Sequence, residues 1–158
     1  MKKNIKTNVM RLLDKEKIIY TPVYYDLGDI EFSGQAVSEL TNIPEEQCFK
    51  TLCAINQKGA VFIFVIPVNK ELDLKMAATA SGNKSIELLP LKDLLKTTGY
   101  NRGEVSPVGM KKTYPTYIDK SAENFDNISC SAGKKGASVQ LSPYDLCRYI
   151  SAGFAPLS

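Results

Sequence analysis

The chain has 158 residues, 44% of them hydrophobic and 23% charged, which supplies one globular core and leaves too little length for two comfortable ones. Twenty basic against 17 acidic side chains give a net charge of +3, which permits an RNA or phosphate partner without requiring one. Histidine is absent, and that excludes Ser-His-Asp and Cys-His catalysis, His-ligated zinc and every imidazole base.

Taken in chain order, Met1-Lys-Lys-Asn opens on no signal-peptide core. Ile5, Val9, Leu12 and Leu13 then recur at helical spacing, predicting a helix to about Lys17. Ile18 to Tyr25 reads as a strand, and Pro22 suits an edge or bulged position in it. Ser33 caps a short helix bearing Ala36, Val37 and Leu40, and Pro44 starts a single helical turn. Phe49–Ile55 and Ala60–Ile66 form a hairpin around Gln57-Lys-Gly59. Val61 to Ile66 is apolar throughout, so that strand is expected to be covered on both faces. It is also the longest apolar run, far short of the ~20 residues a membrane span needs, so no membrane partner is expected.

Asp73 caps a helix to Ala80, Ile86–Leu89 is a short strand, and Pro90–Thr98 is a helix stopped by Gly99. A loop over 99–109 precedes strands at Thr116–Asp119, Ile128–Ser131 and Ser138–Leu141. The final helix has Ser142 as cap and Pro143 in its first turn. Helices interspersed among short, hairpin-linked strands argue α+β with a mixed sheet, in a single domain spanning residues 1–158.

Three places could carry chemistry. Lys50 heads a strand stripe that otherwise wants burial, so its ammonium must snorkel to water, meet an anion or lose its proton. The 99–109 loop holds Gly99, Gly103 and Gly109 and a Ser106-Pro107 pair, which suits backbone drawn close to a ligand as well as a plain connector. Ser129-Cys-Ser-Ala-Gly-Lys-Lys-Gly136 runs from a strand into a small-residue turn whose amides and lysines suit an anion, or simply a solvated basic hairpin. Cys48, Cys53, Cys130 and Cys147 fit no C-x-x-C pattern and read as free structural thiols of a reducing, cytoplasmic compartment. No metal or cofactor is expected.

Together, these motifs resemble one family. Phe49-Lys-Thr-Leu52, Leu72-Asp-Leu-Lys75, Thr98-Gly-Tyr-Asn-Arg-Gly103, Val105-Ser-Pro-Val-Gly-Met-Lys-Lys112, Pro115-Thr-Tyr-Ile-Asp119 and Ser131-Ala-Gly-Lys-Lys-Gly136 follow the order and spacing of the YbaK/EbsC group. These are free-standing aminoacyl-tRNA editing domains related to the insertion domain of bacterial prolyl-tRNA synthetases. The resemblance spans about residues 4–150 and is strongest to the Cys-tRNA(Pro) deacylase branch. It implies an α+β fold with a mixed, partly barrel-like sheet and surrounding helices. It implies Lys50 as the catalytic residue that orients the terminal adenosine and aminoacyl ester, with Tyr24, Phe32, Thr51, Gly103, Ser131 and Gly133 binding substrate. Lys111, Lys112, Lys134 and Lys135 are the lysines expected to meet nucleic acid. Glu104 and Ala132 stand where glycines are common in the family, and the histidine usual near Asp26 to Ser33 is absent.

The implied activity is removal of cysteine from mischarged tRNA(Pro), beside prolyl-tRNA synthetase and with no cofactor. The ester is already activated, so editing asks chiefly for positioning, and a cysteinyl ester carries its own thiol nucleophile. The alternatives are deacylation of another small residue, such as alanine or serine, and a non-catalytic module that senses an aminoacyl end.

Overall fold

The computed structural model describes residues 5–158, so the reading of Met1 to Asn4 lies outside the described residues. Three helix starts fall where the sequence places them. Ser33 Oγ accepts from the Ala36 amide at 3.0 Å, opening α2 (Gly34–Thr41), and Asp73 accepts from Met76 at 2.9 Å, opening α3 (Leu74–Ser81). Ser142 accepts from Tyr144 and Asp145 at the start of α5 (Pro143–Tyr149). α1 (Asn8–Lys15) differs. Thr7 caps it, so Ile5 stays outside the helix and is 65% exposed, while Val9, Met10 and Leu13 face the core. Its end also comes early, because Lys17 turns left-handed (φ +58°) and the Ile18 amide donates back to Leu13.

The strands are β1 (Tyr20–Tyr24), β2 (Phe49–Asn56), β3 (Val61–Pro67), β4 (Ile86–Leu88), β5 (Thr116–Asp119), β6 (Ile128–Lys134), β7 (Ala137–Leu141) and β8 (Gly153–Ala155). They form two sheets. One has the order β1-β7-β6, antiparallel throughout, with Pro22 on the edge strand as expected. The other runs β4-β2-β3-β5-β8 and is mixed: β4, β2 and β3 are antiparallel, while β5 lies parallel to both β3 and β8. A parallel bridge from Cys48, just ahead of β2, to Ser129 in β6 ties the sheets together, so they curl toward each other without closing.

The main core fills the space between the sheets and α1, with Val9, Leu13, Phe49, Ile63, Val65, Ile118, Val139 and Leu146 among its members. A second core on the far face packs α3 onto the hairpin through Phe64, Ile66, Ala77 and Ala78. Ile63 to Ile66 are therefore buried on both sides, which is what their unbroken apolar run requires. Asp119 fastens the C-terminal segment, accepting from the buried Leu157 amide at 2.9 Å and from both the amide and hydroxyl of Ser121.

Three sequence expectations are corrected. The helix over Pro90–Thr98 is a 3₁₀ turn at Leu91–Asp93 followed by α4 (Leu94–Thr98). The strand ending at Ser131 runs on to Lys134 through a bulge, since Ser131 pairs with Ser138 and Lys134 with Ala137. β8 has no counterpart in the sequence reading, because a Gly-Phe-Ala strand is too short to show a period and owes its form to β5 alongside it.

Candidate active site

The cleft sits where β2 forks. On its outer edge β4 pairs only with Ala54–Asn56, and β6 touches only at Cys48. Between those attachments, around Lys50 to Leu52, only the inner edge of β2 is paired, with β3, and a cleft of ≈ 410 Å³ opens along the outer one. The start of α2, Arg102 and Gly103 from the long loop, and Ser129 to Ser131 of β6 close the other sides. Gly34 lets α2 come this close, because a Cβ there would lie 2.6 Å from Val68. Gln35 then ties the helix to the Val68 carbonyl at 3.1 Å.

Lys50 is half-buried in this cleft and has no hydrogen-bond or ion-pair partner among the described residues. Burial lowers its pKa from the ordinary lysine value, and the Glu71 carboxylate opposes that shift. A partly desolvated ammonium with no anion in hydrogen-bond or ion-pair contact is poised to take one, or a carbonyl oxygen gaining negative charge. Beside it, the Thr51 hydroxyl is buried and has no hydrogen-bond partner among the described residues, so a polar group that reaches it would satisfy it. Across the cleft, the Ser131 hydroxyl donates to the Glu104 carbonyl at 3.1 Å and accepts from the Gly133 amide at 3.0 Å. That pair of bonds fixes the loop against β6. Gly103 carries the left-handed φ of +83°, whereas Glu104 beside it has no positive φ, so a side chain at 104 costs the loop nothing.

The sequence-derived set is thus partly assembled. Lys50, Thr51, Phe32, Gly103 and Ser131 share the cleft. Lys135 stands at its mouth, with its ammonium 5.7 Å from the Phe32 ring centroid. Tyr24 does not line it; the cleft wall is Tyr25, since adjacent residues of an extended chain point to opposite faces. Gly133 lies behind the wall, where a Cβ would crowd Tyr100 and Val9. Lys112 lines a separate pocket with Tyr114 and Tyr149, and Lys111 lies beside Gly99, both away from the cleft. Tyr25, Gln35, Arg102, Ser129 and Ser138 also line the cleft; Arg102 and Ser129 lie inside motifs singled out above without being assigned a role, and Tyr25, Gln35 and Ser138 lie in none. For Tyr25 the doubled tyrosine at a strand end is the usable signal, and it leaves the choice of face open.

What the cleft lacks is equally informative. No aspartate or glutamate lines it. Burial raises the thiols of Cys48 and Cys53 to about 11 and that of Cys130 to about 12, so all three are protonated at neutral pH. Tyr25 is likewise raised, mainly by burial, against the pull of the Gly136 backbone and the Ser138 hydroxyl. Among the described residues no group of three or more acidic, cysteine or histidine side chains is placed to hold a metal. The cleft can hold, orient and polarise. It offers no carboxylate or imidazole base and no thiolate.

Gly103 shapes the mouth. A Cβ there would come within 2.8 Å of Lys135 Cε and 3.0 Å of Phe32. Gly99 has nearly the same backbone (φ +85°) but meets nothing closer than 3.6 Å. Gly99→Ala should therefore cost only the left-handed strain, about 1–2 kcal/mol, and Gly103→Ala that strain plus the displacement of Phe32. Urea unfolding of the two variants checks this; equal losses would show that the mouth is not crowded.

Comparison with known proteins gives the cleft its context. The aminoacyl-tRNA editing domain model matches residues 32–149, which holds every cleft residue but Tyr25. The Enterococcus faecalis protein named "Putative Cys-tRNA(Pro)/Cys-tRNA(Cys) deacylase EbsC" is 41% identical over 97% of this chain and 93% of its own. Two solved structures share the fold at 20% identity. "Hypothetical protein APE2540" has a TM-score of 0.85 over 94% of this chain and 97% of its own. "A putative trans-editing enzyme for prolyl tRNA synthetase" has a TM-score of 0.80 over 95% and 94%. With a family model across most of its length and a relative alike from end to end, this chain belongs to the aminoacyl-tRNA editing domain family.

Proposed function

We propose that the protein is a trans-editing deacylase that removes cysteine from mischarged tRNA(Pro), in the cytoplasm and beside prolyl-tRNA synthetase. The observation that carries this reading is the pairing of a partnerless, half-buried Lys50 with a cleft that has no base or nucleophile of its own. Such a site suits a substrate that brings its own nucleophile. The name of the Enterococcus relative supports the same substrate.

The chemistry follows from the ester. The cysteinyl sulfur attacks its own carbonyl carbon, forming a C–S bond and a four-membered thiolactone. The bond from that carbon to the ribose oxygen breaks, and the oxygen leaves with the proton that the thiol gave up. Water then opens the thiolactone to free cysteine. Lys50 stabilises charge on the carbonyl oxygen, the Thr51 hydroxyl satisfies a polar group of the aminoacyl end, and Phe32 and Gly103 hold the adenosine at the mouth. The modest net charge of +3 suits a module that grips only the acceptor end and gains affinity from a synthetase already holding the tRNA.

The experiment is release of cysteine from Cys-tRNA(Pro) by the purified protein, followed across pH. Without histidine there is no limb near pH 6.5. The rate should climb about tenfold per pH unit from pH 6 toward the substrate thiol, which in free cysteine titrates near ~8.5. It should fall again below the ordinary lysine value, because burial makes Lys50 lose its proton early. A flat profile from pH 6 to 8.5 would argue for attack by water, and no cysteine release would refute the activity.

A further inference from the structure

A second groove, ≈ 450 Å³, lies directly behind the cleft wall. Tyr25 belongs to both, so the two hollows are back to back across one residue. Lys134 and Lys135 rim the groove, with Tyr24, Thr7 and Ala137 among its other lining residues. Tyr24 is held in place there, its hydroxyl within donating reach of the Ile5 carbonyl at 3.3 Å and of Met10 Sδ at 3.6 Å.

The β6 bulge makes this possible. Two extra residues between the Ser131 and Lys134 pairings swing the hairpin tip so that both lysines project beside the cleft. Lys135 joins the two hollows, since it lines the groove while its ammonium stands over Phe32 at the cleft mouth. Neither lysine has a carboxylate partner among the described residues. Lys6, also in the groove, is neutralised by Asp14, and Asp26 is an acidic group on the same rim.

We propose that this groove binds the single-stranded nucleotides immediately 5′ of the terminal adenosine, with their phosphodiesters on Lys134 and Lys135 and a base against Tyr24. The inference rests on the editing reading: an adenosine seated at Phe32 and Gly103 must pass its 5′ phosphate out through the mouth that Lys135 guards. Unpaired lysines beside an aromatic wall are what single-stranded RNA recognition uses, phosphate on cation and base on ring. Lys111 and Lys112, equally basic in sequence, lie elsewhere and have no part in it.

The test compares two substrates and one binding probe. Lys134→Glu should raise KM for Cys-tRNA(Pro) about tenfold or more. Hydrolysis of 3′-cysteinyl-adenosine, which carries no phosphate, should be unchanged. Lys58→Glu, at the far tip of the β2–β3 hairpin, makes the same charge change away from the groove and should leave both substrates unaffected. Independently of turnover, a fluorescent single-stranded RNA ending in CCA should bind the wild type more tightly than Lys134→Glu. Its log Kd against log salt should be shallower in the variant by about 0.7 for each phosphate that the protein no longer neutralises. Equal loss on both substrates, an equal effect from Lys58→Glu, or unchanged RNA binding would overturn the inference. So would competition by millimolar inorganic phosphate as effective as the RNA, which would mark a free-phosphate site. If the wild type turns over neither substrate, the editing reading fails, while the RNA probe still decides whether the groove binds a strand.

Discussion

Lys50→Ala should lower deacylation at least tenfold while leaving the protein folded with a near-native melting curve. Removing one preorganised donor to a developing oxyanion typically costs a few kcal/mol of transition-state stabilisation, and no second cation in the cleft is buried enough to replace it. Folding should hardly notice, because Lys50 has no hydrogen bond or ion pair to lose among the described residues, and truncation at such a strand mouth costs at most ~1–2 kcal/mol. The sign of the stability effect is itself informative. A lysine whose pKa is lowered by burial is charged more readily in the unfolded chain than in the folded one, so its ammonium opposes folding below its folded pKa. Lys50→Met, which keeps the stem without the charge, should thus melt at or above the wild type at pH 7 and lose that advantage as pH rises through the folded lysine's pKa. Parallel loss of activity and stability, or full activity in either variant, would remove Lys50 from its role.

Much of the frame is legible in the sequence, for identifiable reasons. Ser33, Asp73 and Ser142 announce helix starts because an acceptor side chain is needed where backbone amides have no partner. The apolar block from Val61 to Ile66 announces a strand between two cores. Pro22 announces an edge. The misses have two causes, a strand partner distant in sequence and local caps or turns that periodicity does not resolve. β8 is a strand only because β5 lies beside it, and Ile5 is outside α1 because Thr7 supplies a cap that periodicity does not see. Pro90–Thr98 splits where Asp93 takes the bend between the 3₁₀ turn and α4.

The site divides in the same way. Lys50 stands out because a charged residue heads an apolar stripe, and Gly103 because a long loop with three glycines suggests close backbone approach. The fork in β2 that creates the cleft is invisible in sequence, since it depends on where β4 and β6 attach. Tyr24 and Tyr25 cannot be told apart there, because one step along an extended chain decides which of them reaches the cleft. The four lysines of the two Lys-Lys pairs look alike, and only the bulge in β6 separates the pair beside the cleft from the pair remote from it.

The largest effect expected of all is discrimination between cysteinyl and seryl esters. Pocket fit alone separates side chains of similar bulk poorly, a methylene being worth only ~1–3 kcal/mol. Serine has nearly the shape of cysteine, but its hydroxyl stays protonated where a thiol begins to ionise, and the cleft holds no base to assist it. Proline has no side-chain nucleophile at all. The acceptor end differs little among tRNAs, so the isolated protein should treat Cys-tRNA(Pro) and Cys-tRNA(Cys) alike, and added prolyl-tRNA synthetase should shift the preference toward tRNA(Pro). The decisive measurement is parallel deacylation of Cys-tRNA(Pro), Cys-tRNA(Cys), Ser-tRNA and Pro-tRNA at one enzyme concentration, with and without synthetase. Both cysteinyl esters should be lost rapidly and comparably, with seryl and prolyl esters slower by about 1000-fold or more, beyond the roughly 200-fold that one methylene of fit could supply. Rapid hydrolysis of the seryl ester would contradict this.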